Sequence, residues 1–239
     1  MKVDISGLDY REVNDIIRAG TGGTVITGAL GQRFLAAGTS GKDVSIYGVP
    51  GNALGAYLNG GRIEVFGNAQ DAAGDTMNDG EIIIHGSIGD AAGYAMRGGR
   101  IYVEGDAGYR AGIHMKAYRD KVPVMVIGGA AGSFLGEYQA GGIIIVLGLK
   151  RRDGRIVGNF PCTGMHGGMM FIRESPDALT LPAQVTARAA GEEDISSIRG
   201  FIEAYSGYFG ADPGFILGHP FTVITPDSGN PYKQMYVAN

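Results

Sequence analysis

The sequence predicts a mainly β chain wound as a single-stranded parallel β-helix of about seven coils. Three observations predict it: a near-repeat of about 19 residues, an apolar pair in fixed register within each repeat, and an excess of glycine, 43 of 239 residues. Residues 48–67, 67–86 and 86–105 read GVPGNALGAYLNGGRIEVFG, GNAQDAAGDTMNDGEIIIHG and GSIGDAAGYAMRGGRIYVEG. A chain that returns to the same place after each such unit, rising one strand spacing of about 4.8 Å, stacks identical positions into parallel ladders. Hairpins would reverse direction and break that register.

The elements follow from the columns. Gly28, Gly48, Gly67, Gly86, Gly105, Gly128 and Gly148 form one column. Four and two residues before it stand Val44 and Ile46, Ile63 and Val65, Ile82 and Ile84, Ile101 and Val103, Val124 and Val126, Ile144 and Val146. The residue between each pair is mostly polar or aromatic, as at Ser45, Glu64 and Tyr102. This period-2, β-branched pattern marks a strand with one face turned inward. Leu58, Met77, Met96 and Met115 make a second inward column. The pairs Gly60-Gly61, Gly98-Gly99, Gly141-Gly142 and Gly167-Gly168 precede strands, where tight corners put residues at φ > 0. Leucine-rich, hexapeptide and calcium-binding nonapeptide repeats are excluded, because their leucine ladder, six-residue subperiod and GGxGxD aspartates are missing.

The regularity lapses at Lys116–Lys121, which enlarges one coil, and at residues 149–155, which precede a last coil carrying Met170 and Ile172. Such insertions go to surface loops and often serve binding. Residues 8–19 read as a helix stopped by Gly20, capping one end of the β-helix. Residues 192–209 read as a second helix, with Ile195, Ile198, Phe201, Ile202 and Tyr205 at helical spacing and Gly210 at its end. The expected organisation is therefore a helical cap over 1–21, the β-helix over 22–175, and a helix plus extended arm over 176–239.

Composition narrows the function. A formal net charge of −4 gives no electrostatic reason to expect nucleic acid or anionic membrane. One cysteine, Cys162, cannot pair within the chain. The N-terminal residues lack a signal peptide's apolar stretch, and no apolar run approaches the ~20 residues of a membrane helix. A cytoplasmic protein is expected.

Candidate chemistry is sparse. His85, His114, His166 and His219 sit in unrelated contexts without metal-ligand spacing. Cys162 and His166 in NFPCTGMHGG could form a nucleophile pair only with an activating geometry, and a bystander thiol is the plainer reading. Gly41-Lys42-Asp43 lacks the spacing and hydroxyl of a phosphate loop. Asp71 and Asp90 share a column that also holds Asn52 and Tyr109, which reads as a surface corner. No catalytic, cofactor-binding or metal residue is assigned, and the chain is expected to carry no cofactor of its own.

The run GALGQRF at Gly28–Phe34, followed by GNALGAYLNGG, GNAQDAAGD, GYRAG, GEYQAGGIIIVLG and GNFPCTGMHGG, resembles the GXGXG domain at the C-terminus of the large glutamate synthase subunit. The resemblance covers roughly residues 22–175 and implies a right-handed β-helix that is not catalytic. In that family a glutaminase domain releases ammonia for a synthase domain carrying FMN and an iron–sulfur cluster, and the β-helix braces the two. Here the domain stands apart, which implies a subunit of a split enzyme whose glutaminase and synthase chains are partners. The family's N-terminal catalytic cysteine and its cysteine cluster have no counterpart in this chain. The alternative is a relative of the β-helix subunit of formylmethanofuran dehydrogenase, which partners pterin-binding chains. The basic loop at Lys150, Arg151, Arg152 and Arg155, and the arm after Pro213 with Phe215, Phe221, Tyr232 and Tyr236, are the expected partner contacts.

Overall fold

The computed structural model describes residues 1–149 and 154–227. In chain order, β1 (Lys2–Asp4) and α1 (Tyr10–Ala19) precede eight coil strands. These are β2 (Thr24–Leu30), β3 (Lys42–Val49), β4 (Asn59–Phe66), β5 (Asp79–Ile84), β6 (Arg100–Val103), β7 (Val124–Ile127), β8 (Ala140–Val146) and β9 (Gly167–Ile172). Then come β10 (Val185–Ala189), α2 (Glu192–Phe209), α3 (Pro213–Leu217) and β11 (Thr222–Pro226). One sheet runs β1 to β9 in sequence order, each strand parallel to the next, and ends with antiparallel β11 and β10. Parallel neighbours in unbroken sequence order define a β-solenoid of about eight turns, one more than the glycine spacing suggested. A shorter parallel ladder, Ala69–Ile88–Ala107–Ala131–Val157, runs up the far side of the coils.

Two apolar layers use the two faces of the main sheet. Inside the coils, Val44, Ile63, Ile82, Ile101, Met125, Ile144 and Met170 lie on one rung line, and all are buried. Each fully buried aliphatic side chain contributes about 1.5–3 kcal/mol before chain ordering is counted. Outside, α2 covers Ile83, Tyr102, Val126, Ile145 and Phe171 with Ile198, Ile202 and Tyr205. Strands β3 and β4 therefore alternate in burial, whereas β7 is buried at every residue.

That second layer corrects the register read from sequence in the sixth unit. Met125 and Ile127, not Val124 and Val126, pair with Ile101 and Val103 and point inward. Val124 and Val126 face α2. Correspondingly Gly129, not Gly128, bonds to Gly105 O. A one-residue slip exchanges the two faces of a strand, and because both faces of β7 are apolar, no alternation marks the slip. At the other end a register shift between Ile26 and Ala29 sets Ala29, rather than Gly28, beside Gly48.

The corners opposite the sheet hold the chain's largest departure from ordinary backbone. Among the described residues, fourteen of the fifteen non-glycine residues with positive φ lie there, at 50–63°. Twelve of them stand two residues before or after a central position, as at Ala53 and Tyr57 around Gly55 or Ala72 and Thr76 around Gly74, and Ala36 and Cys162 hold the central position itself. A left-handed non-glycine residue costs about 1–2 kcal/mol. The recurrence is offset by hydrogen bonds to the coils on both sides: Gly55 N donates to Leu35 O of one neighbour, and Ala53 N to Asp71 O of the other, each at 2.8 Å. The central position faces the core, and a Cβ on Gly55 would lie 2.9 Å from the Ile63 and Ile82 side chains.

Both ends are closed by specific devices. Asp9 caps α1, its carboxylate accepting from Arg11 N and Glu12 N, while Glu12 accepts from Asp9 N. On the helix's inner face Asn14 donates to Phe34 O at 2.8 Å and accepts from Ala36 N at 2.7 Å. One amide thus supplies the donor and acceptor that a preceding coil's backbone would have offered. At the far end β11 pairs with β9, and buried Arg173 donates to Ile216 O at 3.1 Å. The stretch expected to be an extended arm is, over its first half, part of this cap. Phe221 is buried under α2, whereas Phe215 remains 66% exposed; Tyr232 and Tyr236 lie outside the described residues.

Candidate functional site

A cleft of about 530 Å³ lies at the terminal coil. Its near wall is the last corner, Asn159–Phe160–Pro161 with Thr163, from the NFPCTGMHGG stretch. The far wall is Leu179–Thr180–Leu181–Pro182, laid across the end of the solenoid by the turn after Ser175. Met170, Ile172 and Ile224 form its buried base, and Arg155 and Glu174 stand among the lining residues. A terminal coil has no following rung to pack on, so its interior needs another cover; Leu179 and Leu181 supply part of it.

Cys162 sits beside this cleft but turns away from it. It occupies the central corner position that Gly55, Gly74, Gly93, Gly112 and Gly136 hold in the coils before, at φ 60°. Its Sγ is 3.8 Å from Met170 Sδ inside the core. Burial pushes its thiol up to about 12, so the protonated form prevails at neutral pH and the thiol is a poor nucleophile. His166 is not its base: its Nδ1 lies 2.9 Å from Gly164 O.

The structure keeps the other singled-out residues apart. His85 Nε2 is 2.9 Å from Glu64 Oε1 on the outer sheet face. His114 stacks on Tyr138 with centroids 5.1 Å apart, and His219 contacts Pro220 O. Among the described residues, no three His, Cys, Asp or Glu side chains converge as a metal site. Asp71 accepts from Asp90 N at 2.9 Å, and Asp90 from Tyr109 N at 2.8 Å; the aspartate column stitches one coil to the next. Lys42 reaches the Gly20 carbonyl at the C-terminal end of α1. The Lys116–Lys121 insert turns back on itself through an antiparallel Tyr118–Lys121 bridge. Lys121 donates to Asp79 Oδ2 at 2.8 Å, and that bond, with the Gly80 N–H, holds the Asp79 carboxyl below the usual range. Of the basic loop, Lys150, Arg151 and Arg152 lie outside the described residues.

Sequence reading missed an aromatic ladder on the sheet's outer face. Tyr47 stacks on Phe66 (4.6 Å, 11°), Phe66 on His85 (4.8 Å, 10°), and His85 meets the edge of Phe209 from α2. The signal was present: each ring immediately precedes a column glycine, Gly48, Gly67 or Gly86. Nearby, Glu81 accepts from the Tyr208 hydroxyl at 3.0 Å and pairs with Arg100, tying α2 to the sheet. Burial pushes the Tyr102 and Tyr205 phenols above their ordinary range.

Glycine-column coils, left-handed corners and a strand-and-helix end cap define a parallel β-helix protein of the glycine-rich type. The model of the GXGXG motif family matches residues 10–219, and the chain belongs to that family. The match takes in α1, β10, α2 and α3 as well as the coils. An uncharacterized protein of Methanocaldococcus jannaschii is 43% identical over 248 aligned positions, covering 98% of this chain and 95% of that protein. Among the described residues no helix is long and apolar enough to cross a membrane.

Proposed function

We propose that this chain is the bracing β-helix subunit of a split glutamate synthase. It holds a glutaminase chain and an FMN- and iron–sulfur-bearing synthase chain together as glutamate is formed from glutamine and 2-oxoglutarate. The observation that carries the reading is membership of the GXGXG motif family over residues 10–219, which joins the EYQAGG and NFPCTGMHGG stretches to a glutamate synthase-related domain.

The physical form suits that role. Coils bonded rung to rung on both sides make a column that resists bending, so partners seated along it keep a fixed separation. Its own thiol is enclosed and protonated, which supports placing the glutaminase nucleophile on a partner. FMN and iron–sulfur chemistry likewise belongs to the partners, and the assembly's place is the cytoplasm, in nitrogen assimilation.

The test is recovery of the tagged chain from its own cells, with co-purifying polypeptides identified by mass spectrometry. Glutaminase-like and flavin-binding synthase-like chains are expected in fixed ratio. Recovery of pterin-binding dehydrogenase chains would transfer the protein to the formylmethanofuran dehydrogenase alternative, and recovery of the chain alone would overturn both.

A further inference from the structure

The corner beside the Lys116–Lys121 insert gathers cations that the fold leaves without counter-charge. Arg97 and Lys116 hold one position in successive coils, four residues after Gly93 and Gly112. Their backbone N–H groups donate to Met77 O at 2.8 Å and to Met96 O at 2.9 Å. They therefore stand one rung, about 4.8 Å, apart on a single ladder, and both are exposed. The flanking positions of that ladder, Asn78 and Ala140, carry no charge. Arg119, also exposed, lies over the Tyr118 ring at 5.2 Å. Among the described residues, Arg97, Lys116 and Arg119 enter no ion pair. Like charges side by side on a ladder are destabilising, so the fold alone gives no reason for this pair.

The insert itself is held still. Tyr118 N donates to Lys121 O at 3.0 Å and Lys121 N to Tyr118 O at 3.1 Å. Lys121 Nζ reaches Asn78 O at 3.3 Å and Asp79 Oδ2 at 2.8 Å. A Cβ on Gly98 would come within 3.1 Å of the Lys121 Cβ, which sets the insert directly beside Arg97. The corner thus holds four cations, Arg97, Lys116, Arg119 and Lys121, against two carboxylates, Asp79 and Asp120, in a chain of formal net charge −4. Tyr118 and Val122, 49% and 51% exposed, border it. We propose that this corner binds an acidic segment of a partner chain. Its carboxylates meet Arg97, Lys116 and Arg119, and an apolar side chain meets Tyr118 and Val122. Charge complementarity names the occupant: three free cations suit two or three carboxylates, whereas a protein on DNA can make about 6–10 phosphate contacts. Because the insert is preset, little ordering opposes binding, and Tyr and Arg are frequent interface anchors. The inference stands on this charge pattern, apart from the proposed function.

Calorimetric titration of the full chain with the peptide acetyl-Glu-Phe-Glu-Glu-amide tests it. A dissociation constant below about 0.5 mM is expected at about 20 mM salt, weakening at least about fivefold at about 200 mM because the contacts are exposed ion pairs. The double variant Arg97→Glu, Lys116→Glu should weaken binding at least about tenfold. The control Arg33→Glu, Arg199→Glu makes the same change of net charge at exposed sites elsewhere and should leave binding within about threefold. Lys116→Glu alone, which sets an acid beside Arg97, should raise the melting temperature by about 1–3 °C while weakening the peptide. A lower melting temperature would show that Lys116 serves the fold, and would overturn the proposal. So would absence of binding, or equal weakening by the two double variants. Tighter binding of a single-stranded DNA tetramer of the same charge would also overturn it, marking the corner as a nucleic-acid site.

Discussion

Replacing Asn14 by alanine removes the side chain that stands in for a missing coil. The Ala36 N–H, on a residue with no exposed surface, loses its side-chain acceptor, and the partly buried Phe34 carbonyl loses one of two donors, keeping the Ala37 N–H at 3.1 Å. A buried donor left unsatisfied costs about 1–3 kcal/mol and the second lost bond about 0.5–1.5 kcal/mol, together about 2–4 kcal/mol. Typical total stabilities are about 5–15 kcal/mol, so the loss is large. At a urea slope of about 1–3 kcal/mol/M, the denaturation midpoint should fall by about 1 M or more. The control is Asp15→Ala on the same helix, which loses only an exposed ion pair to Arg18 at 3.1 Å, worth under about 1 kcal/mol. Exchange at the Ala36 amide should also quicken while that at Gly93, three coils away, does not, since end damage in a solenoid stays local. Equal midpoint shifts for the two variants would refute the capping role of Asn14.

Further consequences follow from the corners and the core. Ile82→Asp places a charge on the inward rung line with no partner and should leave no folded protein by circular dichroism, whereas Gln70→Asp at an exposed corner should leave the melting curve unchanged. Gly48→Ala should cost more than about 3 kcal/mol in chemical denaturation, because the new Cβ would collide with the Ala29 carbonyl oxygen; Gly7→Ala, also at positive φ but in open space, should cost about 1–2 kcal/mol. Equal costs would mean that φ alone governs the glycines. Cys162 is expected to resist iodoacetamide at pH 8 until the chain is unfolded. Its folded pKa lies above its ordinary 9.0, so the unfolded chain releases the proton first and stability should fall as pH rises from about 9 to about 12. The buried phenols of Tyr102 and Tyr205 push the same way. Cys162→Gly, which places there the glycine that the five coils before it carry, should flatten part of that fall. An unchanged pH slope would contradict the assignment.

What is legible in the sequence is what repeats. The strands β3, β4 and β6 and their inward pairs stand out because polar or aromatic residues separate the apolar ones, β5 is placed by its spacing from them although Ile83 separates its pair, and α2 is bounded at both ends by its acids and Gly210. The unit containing β7 misleads because VPVMVIGG offers apolar residues on both faces and two adjacent glycines. β1, with three residues, has no periodicity to show, and VTARA of β10 is hidden by its exposed alternate positions. The non-glycine left-handed corners leave no mark, since Ala, Thr, Tyr and Phe there are ordinary residues held by their neighbours. The aromatic ladder is visible in column form once the ring before each glycine is compared between units. The terminal cleft is not, because its two walls come from segments whose meeting depends on how the solenoid ends.

In the proposed function this chain couples ammonia release to glutamate formation by holding two catalytic partners in place. The direct measurement is glutamate production by the purified partner chains, with and without this protein, using either glutamine or free ammonium as nitrogen donor. Glutamine-dependent synthesis should require the chain, while ammonium-dependent synthesis and the glutaminase's own turnover proceed in its absence. Glutamine-dependent synthesis at the full rate without the chain would contradict the account.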